Sequence, residues 1–181
     1  MTPRDWGWSP LVETPFYTFY AHDGWYTCAP SSGLGGAGVL IMDSRDRVLL
    51  LGIHRRRVET LVWEIPRGGA DPGEAPLETA VREGAEESRL DLSGATIHDL
   101  GPFMPDTGIL SMINHLALAR LSEPFPEIEP DPREVDTHRV VSWPRFIAMC
   151  RNGEIQDPST IIAALRAQPI VEGAASVDAR D

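Results

Sequence analysis

Acidic residues that follow a glycine-rich segment at regular spacing are the best candidates for chemistry in this chain. Gly68 precedes Glu74, and Glu83, Glu86 and Glu87 come further on. The last three recur at steps of three and four residues, so they share one face of a helix. Adjacent carboxylates repel each other, and Mg²⁺, which prefers oxygen ligands and bridges carboxylates to phosphates, would offset that repulsion. A solvated acidic face is the alternative interpretation.

The surrounding residues predict that these glutamates lie on a helix that begins near Pro76. Proline is favoured in the first turn of a helix, and acidic residues such as Glu74 and Glu78 are favoured near its N-terminus. The glycines before the helix would let metal and phosphate approach the backbone closely. A second, small or apolar face is expected to pack on a sheet and consists of Leu77, Ala80, Val81, Gly84 and Ser88.

This segment resembles the box of the Nudix hydrolase superfamily, G-x5-E-x7-R-E-U-x-E-E-x-G-U, in which U is a bulky apolar residue. A pattern that fixes so many residue types is specific. Gly84 replaces a bulky apolar residue and should let the helix lie close to a sheet. Arg89 replaces the glycine that usually ends the helix, so we expect the left-handed cap to be missing. The matching residues are Gly68, Glu74, Arg82, Glu83, Glu86, Glu87 and Leu90.

Outside the box, residues 53–165 are similar to the ADP-ribose pyrophosphatase branch of that superfamily. The resemblance implies an α/β fold, an α/β/α sandwich with a mixed β-sheet, to which we add an N-terminal β-hairpin. It also implies a homodimer. The matching features are Arg55 after Ile53-His54, Trp63-Glu64-Ile65-Pro66, Pro105 and Gly153-Glu154-Ile155.

The activity that the resemblance implies is hydrolysis of a nucleoside diphosphate linked to another group, X. The first candidates are ADP-ribose and nucleotide sugars, which would give a nucleoside monophosphate and X-phosphate. Mg²⁺, with Mn²⁺ as a substitute, would be held by Glu83, Glu86, Glu87 and the carbonyl group of Arg67. Arg82 would orient the neighbouring glutamates and, with Glu86, contribute to catalysis. Gly68 and Glu74 would shape the box.

The resemblance also implies a general base in a later loop, and Glu134 fits its position best, ahead of Glu129 and Glu127. Arg55 and Glu64 are candidates for substrate contact. A surface arginine and a salt bridge at a strand end are the alternatives for these two residues. A Nudix-like domain that senses a nucleotide ligand without hydrolysis is the alternative function.

Composition narrows the class of protein. A chain of 181 residues with 42% hydrophobic content fits one domain. Its net charge of −11 argues against sequence-independent nucleic-acid binding. Cys28 and Cys150, with no CxxC motif, predict buried thiols rather than a zinc site or a disulfide. No long apolar run or leader is visible, which predicts a cytoplasmic protein without a membrane partner.

We predict three regions along the chain. Residues 1–37 form an irregular segment and a hairpin that turns at Asp23-Gly24; the hairpin could serve dimerisation or be a simple edge. Residues 38–171 form the Nudix domain, and residues 172–181 form a disordered tail. Within the domain we expect strands at 39–42, 48–53, 61–65, 97–103, 113–121 and 139–142, and an irregular loop at 122–136.

Two further features concern local structure. Gly33, Gly35 and Gly38 have the spacing of a dinucleotide-binding fingerprint, but a strand-like run follows where that fold needs a helix. We therefore interpret the glycines as a loop, and a nicotinamide-dependent oxidoreductase would require a helix after Gly38. Two helices should end the domain, capped by Ser142 and Asp157, and Pro169 should limit the second.

Overall fold

The computed structural model describes residues 2–173, which form two β-sheets and three α-helices after a short 3-10 helix at Pro3–Trp6. The helices are α1 (Pro76–Ser88), α2 (Trp143–Arg151) and α3 (Pro158–Glu172). The strands are β1 (Ser9–Glu13), β2 (Tyr17–His22), β3 (Trp25–Pro30), β4 (Gly36–Met42), β5 (Arg47–Arg55), β6 (Thr60–Glu64), β7 (Arg67–Gly69), β8 (Thr96–Phe103), β9 (Asn114–Arg120) and β10 (Thr137–Ser142).

The larger sheet is mixed, as predicted. Its strand order is β10-β5-β4-β9-β8, with β6 paired to β5 and β7 paired to β4. Strands β4 and β9 run parallel, and the other pairs are antiparallel. Helix α1 packs on one face, and α2 and α3 pack on the other, which gives the predicted α/β/α sandwich. Within residues 2–173, every helix is too short or too polar to cross a membrane.

The apolar run at 39–42 became the central strand because both faces of β4 are covered. Val39 and Ile41 face the cluster that includes α1, and Leu40 and Met42 face the cluster that includes α2 and α3. All four side chains are fully buried. A strand buried on both faces reads as continuous apolar sequence rather than as alternation.

The glycines at the start of this strand allow neighbouring backbone segments to lie very close to it. The chain enters β4 at Gly36 with no intervening helix, which excludes the dinucleotide-binding interpretation. A Cβ atom on Gly35 would overlap the carbonyl group of Ile113, and one on Gly36 would overlap the carbonyl group of Gly68. Glycine therefore lets β7, which belongs to the box, lie directly against the central strand.

The N-terminal segment forms a separate three-stranded antiparallel sheet, β1-β2-β3. The turn at Asp23-Gly24 is the predicted one, with φ of 48° and 83°. The expectation of an irregular start was wrong for β1, whose residues are all exposed and lack the alternation that would reveal a strand. The sheet is anchored at Cys28, whose N–H donates to Ile109 O at 2.8 Å. Both cysteines are free thiols, Cys28 buried and Cys150 half-buried.

The two terminal helices follow the prediction with two corrections, at Ser142 and at Pro169. The Asp157 carboxylate accepts the Thr160 N–H at 2.9 Å, so it caps α3, whereas Ser142 stands at the α2 N-cap without a side-chain capping bond. Pro169 lies inside α3 and does not end it. The helix continues to Glu172, whose carboxylate accepts the Trp143 indole N–H at 3.0 Å. The rest of the predicted disordered tail, 174–181, lies outside the described residues.

Gly84 lets α1 lie close to the sheet, and we expect a larger residue there to be destabilising. A Cβ atom would lie 2.5 Å from Val39 Cγ1 and 2.9 Å from Leu92 Cδ1. Gly84→Val, which restores the bulky residue of the family pattern, should lower the free energy of unfolding by about 1–3 kcal/mol through overpacking. Urea denaturation measures this. Gly94→Ala is the control because its added Cβ meets no atom within 4 Å; equal stability of the Gly84 variant and wild type would contradict the packing argument.

Candidate active site

The backbone of the box loop faces the acidic helix. In the antiparallel ladder between β7 and β4, Val39 N–H donates to Pro66 O at 3.0 Å and Ala70 N–H donates to Gly35 O at 3.1 Å. Because such bonds alternate along a strand, the N–H and C=O of Arg67 point away from β4. The Arg67 N–H donates to Glu87 Oε2 at 3.2 Å. The Arg67 carbonyl group therefore lies on the side of the carboxylates.

Two glutamates of α1 lie against this glycine turn. A Cβ atom on Gly68 would overlap the carboxyl group of Glu83, so the missing side chain makes the space that this carboxylate occupies. The side chain of Glu83 is 12% exposed, and Glu87 is 6% exposed. Glu86 differs, because its side chain is 60% exposed and contacts Arg82 at 3.2 Å. Of the three glutamates that we expected to share one metal site, Glu83 and Glu87 lie together beside the glycine turn, while the Glu86 side chain is exposed to solvent.

Arg82 holds the box together. Its Nε donates to Glu74 Oε1 at 2.8 Å, its Nη1 to Glu83 Oε1 at 2.8 Å, and its Nη2 to Gly69 O at 2.8 Å. The hydrogen bond from Arg82 lowers the pKa of Glu74 to about 2. Because every nitrogen of this guanidinium is engaged, Arg82 orients the glutamates and ties the loop to the helix through Glu74.

The buried carboxylates suit a cation. Burial is the main reason that the pKa of Glu87 is raised to about 8. The hydrogen bond from the Arg67 N–H opposes this shift, and the charges of Glu83, Glu134 and Glu64 add to it. Burial also raises the pKa of Glu83, against the opposing hydrogen bond from Arg82. A carboxylate that is buried without a full counter-charge is costly, and a cation bound at the same place would offset that cost.

The available donors are oxygens, which is the set that Mg²⁺ prefers. Within residues 2–173, no three His, Cys, Asp or Glu side chains are already gathered around one point. The fit therefore depends on Glu83, Glu87 and the Arg67 carbonyl group, which share the space beside the glycine turn. Glu86 could join them by a change of side-chain rotamer, since it is exposed.

The loop that carries Glu134 is fixed to the end of α1. Asp131 N–H donates to Glu87 O at 3.0 Å, and Glu134 N–H donates to Asp131 O at 3.1 Å. The Glu134 charge contributes to the raised pKa of both Glu83 and Glu87. Its carboxylate thus lies near the metal-ligand candidates. Glu127 and Glu129 are exposed and flank buried Ile128 earlier in the loop.

Arg89 corrects the expectation of a missing helix cap. Its φ of 56° is left-handed, and its N–H donates to Ala85 O at 2.9 Å. A non-glycine residue in this conformation costs roughly 1–2 kcal/mol. The Arg89 guanidinium lies 3.4 Å from Asp131, which links the helix end to the Glu134 loop. This contact gives a reason for arginine where the family pattern has glycine.

Arg55 and Glu64 form a salt bridge with each other, which was the alternative to substrate contact. Glu64 is fully buried and lies between Arg55 Nη2 at 2.6 Å and Arg67 Nη2 at 2.5 Å. Arg67 Nη2 also lies 3.3 Å from Asp157. No local pattern in the sequence predicts that the Arg67 side chain joins the box loop to α3, because Asp157 is distant from Arg67 in the chain. Substrate contact by Arg55 and Glu64 stays a prediction.

Two cavities adjoin these residues. One of about 430 Å³ lies beside the box loop and is lined by Gly35–Gly38, Arg67–Ala70 and aromatic residues that include Phe16, Tyr17 and Phe103. The other, of about 320 Å³, lies beside the Glu134 loop and is lined by Ile53, His54, Arg56, Pro132, Arg133, Glu134, Val135 and Asp136. The first cavity thus borders the box loop and the second borders the Glu134 loop, while Glu83, Glu86 and Glu87 line neither of them.

Comparison with known proteins identifies a family and two relatives of this chain. The NUDIX domain matches residues 34–161. The chain is 32% identical over 85 residues to the CMP-5'-(N-acetyl-N-hydroxy-3-aminopropyl)phosphonate hydrolase of Streptomyces rubellomurinus. The aligned segment covers 47% of this chain and 40% of that protein. It is 38% identical over 53 residues to a putative 8-oxo-dGTP diphosphatase of Bacillus subtilis. This second aligned segment covers 29% of this chain and 33% of that protein. The chain thus spans less than half the length of either relative.

Proposed function

Because the chain belongs to the Nudix family, we propose that it is a metal-dependent hydrolase of nucleoside diphosphates linked to another group, X. The observation that carries the proposal is the buried pair Glu83 and Glu87 beside the glycine turn at Gly68. Their carboxylates suit a hard cation, and the turn lets a phosphate approach the backbone. The products would be a nucleoside monophosphate and X-phosphate.

The proposed reaction is attack of water on one phosphorus of the diphosphate. A new bond forms between the water oxygen and phosphorus, and the bond from phosphorus to the bridging oxygen breaks. Glu134 takes the proton of the attacking water as general base. Mg²⁺ held by Glu83, Glu87, Glu86 and the Arg67 carbonyl group would polarise the phosphate and lower the pKa of the water. Arg82 keeps the glutamates oriented.

ADP-ribose and nucleotide sugars remain the proposed substrates. The cavity of about 430 Å³ beside the box loop has the volume of a small-molecule site and aromatic walls suited to a nucleoside. The printed names of the two relatives refer to a CMP-linked phosphonate and to 8-oxo-dGTP. Both molecules belong in a substrate panel, because each joins a nucleotide to a further phosphorus-containing group.

The panel is the experiment that tests this function. ADP-ribose, nucleotide sugars, a CMP-linked phosphonate and 8-oxo-dGTP are incubated with Mg²⁺ or Mn²⁺, and phosphate is measured after a coupling phosphatase. We expect turnover that depends on the metal. Thermal stabilisation by a nucleotide without any turnover would favour a ligand sensor and overturn the proposed activity.

A homodimer is the proposed assembly. The N-terminal sheet lies largely outside the matched region, and it exposes large apolar residues that a partner could cover. These residues are Leu11, Val12, Phe16, Phe19, Trp25 and Tyr26. Light scattering measures the mass in solution.

A further inference from the structure

The arginines around the candidate site are already paired with carboxylates of the chain. The chain has 16 arginines and no lysine. Arg82 is engaged at every nitrogen, and Glu64 and Asp131 each bind two of the others. The paired arginines are Arg55, Arg67, Arg82, Arg89 and Arg133. A diphosphate carries negative charge that these neutralised groups would not balance, so an unpaired guanidinium beside the metal site would matter.

Arg56 is such a group. In the described part of the chain, no ion pair or hydrogen bond engages its side chain. It lines the cavity of about 320 Å³ together with His54 and Glu134. Asp136 also lines this cavity, but its Oδ2 accepts the His54 N–H at 2.7 Å. The guanidinium of Arg133 is bound by Asp131, so Arg56 supplies the uncommitted positive charge in this lining.

The loop that forms one wall of this cavity is hydrogen-bonded to α1, the helix that carries the metal-ligand candidates. Glu134 in its wall donates its N–H to Asp131 O, and Asp131 donates its N–H to Glu87 O. On the other side, Asp136 N–H donates to Gly52 O at 3.1 Å, which holds the loop against the end of β5. Arg56 follows directly after β5. A diphosphate that binds metal at Glu87 and extends into this cavity would therefore contact the Arg56 guanidinium.

Building on the proposed function, we propose that Arg56, and not Arg55, is the substrate-binding arginine that contacts the phosphoryl oxygens on the X side of the diphosphate. Arg55 matches the family residue in sequence, but its guanidinium is committed to fully buried Glu64. Turning Arg55 toward a substrate would leave that buried carboxylate with Arg67 alone. Arg56 has no such commitment, and guanidinium geometry suits bidentate contact with phosphate.

The test compares Arg56→Gln with Arg57→Gln, its neighbour in the same turn, which has no ion pair in residues 2–173 and does not line the cavity. Loss of a charge-assisted hydrogen bond should raise KM about tenfold for Arg56→Gln, with a smaller change in kcat. Binding of α,β-methylene-ADP in EDTA, measured by calorimetry, should weaken by a similar factor. Arg57→Gln should behave as wild type in both measurements.

The competing assignment is tested with Arg55→Gln, which should lower Tm because it removes a partner of buried Glu64. A raised KM and weaker analogue binding in Arg55→Gln at unchanged Tm, with normal values in Arg56→Gln, would overturn the proposal. Analogue binding that is the same with and without Arg56 would also overturn it. If wild type hydrolyses nothing but binds the analogue in an Arg56-dependent way, the contact stands and the proposed hydrolysis fails.

Discussion

Glu87→Gln is expected to lower metal-dependent hydrolysis by a factor on the order of 10²–10³, as for the loss of a group that stabilises transition-state charge. Glu87 is buried beside the Arg67 backbone, so no neighbouring carboxylate has room to take its place as a metal ligand. Phosphate release with Mg²⁺ measures the effect. Glu78→Gln is the matched control on the same helix, because Glu78 is exposed and bonds to the Ala75 N–H. Near-normal turnover in a folded Glu87→Gln protein would remove the metal site proposed here.

Adding Glu86→Gln to Glu87→Gln should abolish the remaining metal-dependent turnover. Glu86→Gln alone should have a smaller effect than Glu87→Gln, since its side chain is 60% exposed and bound by Arg82. An equal loss from the two single changes would instead show that Glu86 turns inward when metal binds.

The pH dependence of stability tests whether the raised pKa of Glu87 destabilises the metal-free fold at higher pH. The pKa of Glu87, about 8, lies above its ordinary value of 4.5, so the folded protein holds this proton more tightly than the unfolded chain. The stability that the protonated group contributes is complete below pH 4.5 and is lost as pH rises through about 8. Metal-free wild type should therefore have a lower Tm at pH 8 than at pH 5.5, and Glu87→Gln should show a smaller fall. An equal fall in Tm in both proteins would show that titratable groups other than Glu87 cause it.

Glu134→Gln is expected to lower kcat by a factor of about 10²–10⁴, the range for loss of a general acid–base group. Nucleotide binding should change little, because the amide keeps the size of the side chain and no metal-ligand candidate is removed. Steady-state kinetics separates kcat from KM, and calorimetry measures binding. The charge of Glu134 contributes to the raised pKa of Glu83 and Glu87, so its carboxylate lies near these two metal-ligand candidates.

Glu127→Gln and Glu129→Gln are the controls for the base, because they are acidic residues of the same irregular loop. Both should keep kcat within about threefold of wild type, as surface changes away from the reacting atoms usually do. A near-normal kcat in Glu134→Gln, with a large loss in either control, would move the general base to that control residue.

Local sequence determined the box and the main elements. The spacing of Glu83, Glu86 and Glu87 sets their positions on α1, because helix geometry is nearly invariant. The apolar run at 39–42 predicted a strand, and Asp157 before Pro158 predicted the start of α3. Each of these features depends on residues within a few positions of one another, so a single sequence is sufficient to find them.

Tertiary structure decided the partners of the charged residues. Glu64 became a buried carboxylate between Arg55 and Arg67, while Arg56, one residue further on, has no ion pair within residues 2–173 and lines a cavity. Pairing distant residues depends on the register of β5 with β6 and on the packing of the loop that carries Glu134. Arg55 is the last residue of β5 and Arg56 lies in the turn that follows, so the two adjacent arginines have different surroundings. Sequence alone supplies the arginines, and the folded chain determines which of them is left for a substrate.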